Sequence, residues 1–429
     1  MESSALLYSL ILSVFILGYV AIILEYTLKV NKTAVALLIA ALCWAIYFMC
    51  SSAPVSSDLH KLGEHLNDVS QIIFFLMGAM TLVELIDSHK GFKIVTDLIH
   101  TTSKRKMLWI VAVISFCLSA VLDNLTTTIL MVSLLRKMIP MRKERFLLSC
   151  IVIVAANAGG AWTPIGDVTT TMLWINGQLS SLSVMKALIL PSLVALLVPM
   201  CYFSFREKGV YADLPEENAD ALPEPGARLV FFMGLGALIF VPVFKTVTGL
   251  PPFMGVLFGL SALWLVTDLL HHKYEHRQHL RVPTILTKID TSGVLFFLGI
   301  LLCINSLETA GLLTYVAEWL ETTIKSQELI ATLIGMFSAI IDNVPLVAAT
   351  MGMYPLTEFP IDSSLWHMIA YAAGTGGSML LIGSSAGVAL MGLEKIDFFS
   401  YMRKMTIPVF IGYLAGMGTY ILQLWLFSS

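Results

Sequence analysis

Residues 119–128 read Ser-Ala-Val-Leu-Asp-Asn-Leu-Thr-Thr-Thr, and residues 338–347 read Ser-Ala-Ile-Ile-Asp-Asn-Val-Pro-Leu-Val. One Asp-Asn pair, Asp123-Asn124 and again Asp342-Asn343, therefore stands twice inside long apolar sequence, about 219 positions apart. A carboxylate at membrane depth is costly to hold, and by default it marks a functional site.

The surrounding composition sets that depth. Of the 429 residues 57% are hydrophobic and only 13% charged, against about 25% charged in soluble domains, and the mean hydropathy is +0.83. The expected fold class is an all-α polytopic membrane protein. Apolar runs long enough to span a bilayer, about 17 to 25 residues each, begin at residues 5–24, 33–50 and 67–86. The first run lacks a basic start and a small-residue cleavage site, so it reads as a retained span and not a signal peptide. The six cysteines are scattered without metal-ligand spacing and read as packing residues. A lipid bilayer is the expected partner, with no nucleic acid, no cofactor and no enzymatic chemistry implied.

The Asp-Asn pairs belong to a longer self-similarity with a nearly constant offset of about 217 to 222 positions. Phe74-Phe75-Leu76-Met77-Gly78 resembles Phe296-Phe297-Leu298-Gly299, and Ala158-Gly159-Gly160 with Ile165-Gly166 matches Thr375-Gly376-Gly377 with Ile382-Gly383. A shared order of matches is the signature of an internal repeat. Residues 1–205 form one copy and 228–429 the other, joined by a polar linker over 206–227 that contains Pro215, Pro223 and Pro225.

Lys and Arg collect in cytoplasmic loops. Two basic clusters, one from Lys90 to Lys106 and one from Arg136 to Arg145, flank a single apolar segment, so both its ends face the cytoplasm. A re-entrant hairpin over about 107–140, turning near Asp123, satisfies this, because irregular backbone at depth is tolerated where protein or a wet cavity surrounds it. The matching hairpin, about 328–355, lies between the poorly basic loops 311–327 and 356–365 and opens to the periplasm. Each half then has about five transmembrane helices, one hairpin and one broken helix, over about 145–175 and 366–393. An odd span count inverts the second copy and leaves both termini periplasmic. Inverted repeats whose broken segments meet at the midplane are the build of a secondary transporter; a structural membrane protein with duplicated helices would explain the repeat but not the paired breaks.

The breaks carry the chemistry. Gly pairs and Pro164 weaken helical hydrogen bonding, freeing carbonyls and half-helix ends for an ion. Asp123, Asp167 and Asp342 sit in these breaks, while Lys and Arg are absent from the hairpin turns and polar breaks. Such a site suits a hard cation wanting oxygen, and a carboxylate in a low dielectric also holds protons more readily. Na⁺ or Li⁺ and H⁺ would compete for the same acids, giving exchange by alternating access. The first half is expected to supply most ligands: Na⁺ at Asp123, Asn157 and Asp167, with Thr126, Thr127, Thr163, Thr169 and Thr170 around them. Asp342, Asn343, Ser338, Thr375, Ser378, Ser384 and Ser385 come from the second.

Each candidate has a plainer reading. Ser and Thr in membrane helices bond back to their own backbone or act as packing glue, and Asn124 and Asn343 could cap helices. Glu84, Asp87 and Glu308 read as interfacial, and His60, His65, His89 and His271 as loop histidines. The competing function is a Na⁺-coupled symporter of a small anion or metabolite.

At Ser119-Ala120-Val121-Leu122-Asp123-Asn124-Leu125-Thr126-Thr127 and at Asn157 to Thr170 the chain resembles the NhaD-type sodium/proton antiporters of the ion transporter superfamily. The second-half motifs carry the similarity more loosely. The resemblance implies a homodimer with a scaffold and a moving transport domain, an elevator arrangement. It also implies exchange of cytoplasmic Na⁺ or Li⁺ for outside H⁺ in a bacterial inner membrane.

Overall fold

The computed structural model describes residues 2–51, 53–96, 99, 101–211 and 224–427, so Pro215 and Pro223 of the expected linker lie outside the described residues. The first half runs through α1 (Glu2–Ile23), the short α2 (Glu25–Leu28), α3 (Lys32–Cys50), α4 (Val55–Ser88) and the short α5 (Lys93–Thr96). Two interrupted pairs follow, α6 (Lys104–Ser119) with α7 (Asn124–Met138) and α8 (Arg142–Gly160) with α9 (Val168–Ile175), before α10 (Ser181–Arg206).

The second half keeps that order. It comprises α11 (Ala227–Thr248), α12 (Pro252–His271), the short α13 (Val282–Ile285), α14 (Thr291–Thr309) and α15 (Leu312–Ile324). The interrupted pairs α16 (Gln327–Phe337) with α17 (Asn343–Met353) and α18 (Ser364–Gly376) with α19 (Ser385–Glu394) precede α20 (Phe398–Phe427). Among the described residues seven helices, α3, α4, α10, α11, α12, α14 and α20, are long and apolar enough to cross a membrane. An isolated bridge between Ser103 and Val210 is the extended pairing found among the described residues. The protein is an all-helical polytopic membrane protein.

One expectation fails: residues 311–327, read as a loop, are mostly helix α15. Leu313 and Ala317, four apart, are buried while Tyr315 and Trp319 are exposed. That one-sided pattern lets the helix rest on its neighbours with aromatic side chains outward.

Each helix break has a local cause. Asp123 ends the turn after α6 and caps α7, its Oδ1 accepting from the Thr126 N–H at 2.6 Å and its Oδ2 from the Thr126 hydroxyl at 2.9 Å. Asp167 caps α9 through the Thr169 N–H at 3.3 Å, and Asp342 caps α17 through the Val344 N–H at 3.3 Å. Ser384 caps α19 through the Gly387 N–H at 3.3 Å. Side-chain oxygens satisfy the orphan donors of a helix start, and a carboxylate there also meets the positive end of the dipole. Capping therefore falls to the aspartates; Asn124 and Asn343 are the first helical residues after them.

Packing between the halves is reciprocal. α4 packs on α12 while α14 packs on α3, α7 on α19 and α17 on α9, and α10 lies along α20. The interrupted helices approach closely because glycine stands at the crossings. A Cβ on Gly159 would collide with the backbone of Phe116 in α6, and one on Gly376 with the backbone of Gly335 in α16. The glycines of the breaks thus serve close approach of backbones as well as opening of the helix.

Candidate cation site

The four capped helix starts bring their side chains to one buried centre. Asp167, 2% exposed, accepts on its Oδ2 from Asn124 Nδ2 at 3.3 Å and from Asn343 Nδ2 at 3.2 Å. The two asparagines come from the two Asp-Asn pairs and converge on a single oxygen. Asn124 Nδ2 also reaches Asn157 Oδ1 at 3.1 Å, and Asn157 Nδ2 donates to Ser384 Oγ at 3.1 Å. The chain Ser384–Asn157–Asn124–Asp167–Asn343 crosses between the halves twice, and all five side chains are buried.

The inequality of the halves now has a physical reason. Gly374, the counterpart of Asn157, is where a Cβ would crowd Ala161 at 3.0 Å and lie 3.6 Å from Asp167 Oδ2. The tight contact is with Ala161, and a side chain longer than a Cβ at 374 would extend into the same crowded space beside the carboxylate.

Asp123 and Asp342 are placed differently. Both are half-buried and line a cavity of about 250 Å³ together with Asn124, Thr126, Ser385 and the apolar Leu76 and Met80 of α4. Both lie within electrostatic reach of Asp167. The cavity continues to Lys32, Asp290 and Ser292 at the starts of α3 and α14, the end of the molecule that holds the basic loops. Lys32 is the basic residue of that lining, and its ammonium sits 4.6 Å from the ring centre of Phe296 at the mouth. Lys32, Asp290 and Met80 were not singled out from the sequence, since each looked like an ordinary loop or span residue.

The hydroxyls divide into two groups. Thr163 donates to the Ala120 carbonyl at 2.7 Å and Ser338 to the Ala373 carbonyl at 2.9 Å, tying neighbouring elements together. Thr170, Thr375 and Ser378 bond back to their own helices, at 2.9 Å to Asp167 O, 2.6 Å to Tyr371 O and 2.6 Å to Thr375 O. By contrast, Thr127 Oγ1 and Thr169 Oγ1 are buried without a hydrogen-bond partner among the described residues. Thr127 lies one turn inside the start of α7, and Thr169 is the second residue of α9, two positions after Asp167. A buried hydroxyl left in that state is costly unless a ligand uses it.

Two clasps hold the broken segments of the two halves to each other. Arg145 Nε donates to Glu394 Oε2 at 2.8 Å, joining α8 to the end of α19. Arg145 was read from the sequence as one of a solvated basic cluster, yet it is 8% exposed because its guanidinium also fills the turn before α8, donating to the carbonyls of Ile139 and Pro140. At the other end Asp362 accepts from the Ser180 N–H at 2.7 Å and the Ser180 hydroxyl at 2.6 Å.

Breaks in apolar helices that hold acids, amides and hydroxyls around one carboxylate form a candidate cation site, and comparison with known proteins gives the family of the chain that carries it. A family model described as "Citrate transporter" matches residues 19–369. "Na(+)/H(+) antiporter NhaD" of Halomonas elongata is 30% identical over 443 residues, 96% of this chain and 87% of that protein. The chain belongs to the NhaD-type sodium/proton antiporter family. Within it, "Sodium/proton antiporter 1" of Arabidopsis thaliana is 54% identical over 95% of this chain and 71% of its own length. "Sodium/proton antiporter 2" of the same plant is 50% identical over 95% and 97%. The relatives are transporters, and this chain is a transporter and not an enzyme.

Proposed function

We propose that the chain exchanges Na⁺ or Li⁺ for H⁺ across a membrane, with cation and proton competing for the carboxylates of the breaks. The observation that carries this reading is the meeting of Asn124 and Asn343, one from each half, on Asp167 Oδ2. A cation entering the cavity meets Asp123 and Asp342 first. Asp167, the amide oxygens of Asn124, Asn157 and Asn343, and the hydroxyls of Thr127 and Thr169 lie behind them. A proton on the carboxylates replaces the charge of the departing ion, so one occupant excludes the other and exchange needs only alternating access.

The halves are read as inverted repeats, with α6–α7 and α16–α17 as oppositely facing re-entrant hairpins; their reciprocal packing supports this. The two clasps make α6–α9 and α16–α19 one body that moves against α3, α4, α12 and α14, an elevator motion within a homodimer. The basic loops face the cytoplasm, so the cavity of Asp123 opens inward. A bacterial inner membrane suits the NhaD relative, while the two Arabidopsis relatives come from a plant. An anionic substrate such as the citrate of the family description is disfavoured, because four acids, Glu25, Asp123, Asp290 and Asp342, and a single lysine, Lys32, line the cavity.

The test is made in vesicles carrying a pH gradient and no organic solute. Added Na⁺ or Li⁺ should collapse the gradient, and Asp167→Asn should abolish that response. A response that appears only when an organic anion is supplied refutes exchange and favours symport.

A further inference from the structure

A second polar cavity, of about 210 Å³, lies at the end of the molecule remote from the basic loops. It sits between the N-terminal part of α4, the C-terminal part of α14, the end of α9 and the second turn of α17. The carboxylates of Asp68 and Glu308 line it with the amides of Asn176, Asn305 and Gln178. Asp68 and Glu308 are exposed, and Glu308 Oε2 lies against Gly352 of α17.

Gln178 gives this cluster its direction. It is 6% exposed, it lines the cavity, and its Oε1 has no hydrogen-bond partner among the described residues. A buried amide oxygen in that state is an acceptor without a donor, which a cation satisfies and an anion does not. Asn176 gives its Nδ2 to the Met172 carbonyl at 3.0 Å, which leaves its Oδ1 as the ligating atom. The negative end of the α9 dipole is already met by the Lys245 ammonium, which donates to the Trp174 carbonyl at 2.7 Å from outside the cavity lining, so the ligands of the cavity are its side-chain oxygens. His65 is held at 2.9 Å by Thr309 and contributes no fixed positive charge of the Lys or Arg kind.

We propose that this cavity is a second cation site, a vestibule that receives a partly hydrated alkali cation, Na⁺ or Li⁺, on the face opposite the Asp123 cavity. Its ligands are Asp68, Glu308, Gln178 Oε1 and Asn176 Oδ1, with the remaining positions left to water. Asp167 caps one end of α9 and Asn176 the other. The nine residue steps from Asp167 to Asn176, at about 1.5 Å each, separate the vestibule from the central carboxylate by roughly 13 to 14 Å. The same short helix thus presents an acid at one end and amide oxygens at the other. The proposal rests on the exchange reading above and extends it to the outer face.

The experiment uses the full chain in vesicles of defined orientation and the variant Asp68→Asn with Glu308→Gln. With Na⁺ supplied on the remote face, the half-saturating concentration for proton movement should rise by an order of magnitude, roughly tenfold. With Na⁺ supplied on the basic-loop face, it should stay within about twofold, which also shows that the variant is folded. An equal rise from both faces, or none from the remote face, overturns the proposal. Equilibrium binding of radioactive Na⁺ to purified Asp167→Asn protein separates this idea from the exchange reading. Residual binding lost on adding Asp68→Asn and Glu308→Gln supports the vestibule, even where the unaltered protein moves no protons. Absence of residual binding refutes the vestibule, even where exchange stands.

Discussion

Replacing Arg145 by Met should destabilise the protein more than any surface change, and the structure gives the size. Its guanidinium donates to Glu394 Oε2 at 2.8 Å, to the Ile139 carbonyl at 3.0 Å and to the Pro140 carbonyl at 2.6 Å, and the side chains of Arg145 and Glu394 are 10% and 1% exposed. Removal leaves the Glu394 carboxylate buried with Arg136, 3.8 Å away and half-exposed, as its nearest cation. Breaking a buried pair from one side costs about 3 to 5 kcal/mol, because a charge is left uncompensated. Glu394→Leu should cost less, about 2 to 3 kcal/mol, since Arg145 keeps its two carbonyls. The double variant buries no orphan charge and should fall well short of the sum, giving a coupling of at least about 2 kcal/mol. Denaturant unfolding of the four proteins in one detergent measures all of these. Additive losses, or single losses below about 1 kcal/mol, would refute the claim that this clasp joins the two halves.

Three further outcomes are expected. Asn343→Ala removes one donor from Asp167 and Asn124→Ala removes a donor shared with Asn157. Each should raise the half-saturating Na⁺ concentration about tenfold, Asn124→Ala more, as a bond to a charged group is worth about 1.5 to 3 kcal/mol; a change below twofold in vesicle assays would count against the network as the ion site. Gly159→Ala should cost about 1 to 3 kcal/mol or prevent folding, because the new Cβ meets backbone that cannot rotate away, while Gly418→Ala, with nothing within 4 Å, should be neutral or stabilising. Melting temperatures compare the two. His89, just past α4, is buried with its Nε2 at 3.0 Å from His271 Nε2, and burial lowers its pKa below the usual 6.5. The neutral form is the stable one in the fold, so its contribution is full above pH 6.5 and is lost as pH falls through the lowered value. His89→Gln should flatten the melting temperature between pH 7 and 5, and an unchanged slope would discard the assignment.

Much of the site was legible because its parts are local. Asp123, Asp167 and Asp342 each start a helix by bonding an N–H two or three residues ahead, a relation written within a few positions of sequence. Ranking them was not legible. The sequence reading set Asp123, Asn157 and Asp167 together as Na⁺ ligands, whereas the fold turns Asp123 onto Thr126 at the cavity edge and buries Asp167 in the centre. Arg145 read as one of a basic loop cluster because the sequence does not show its partner, Glu394, about 249 positions away. Gln178 and Asn176 carried no signal at all, being single amides at the end of a short helix.

The sequence by itself determined the membrane setting, the doubled frame, the positions of the helix breaks and the presence of acids in them, all properties of composition and near neighbours. Only the tertiary structure decided which side chains meet. Asn124 and Asn343 reach the same oxygen because glycines at two crossings let interrupted helices approach backbone to backbone. That proximity is a property of four packed helix ends and of no single stretch of chain.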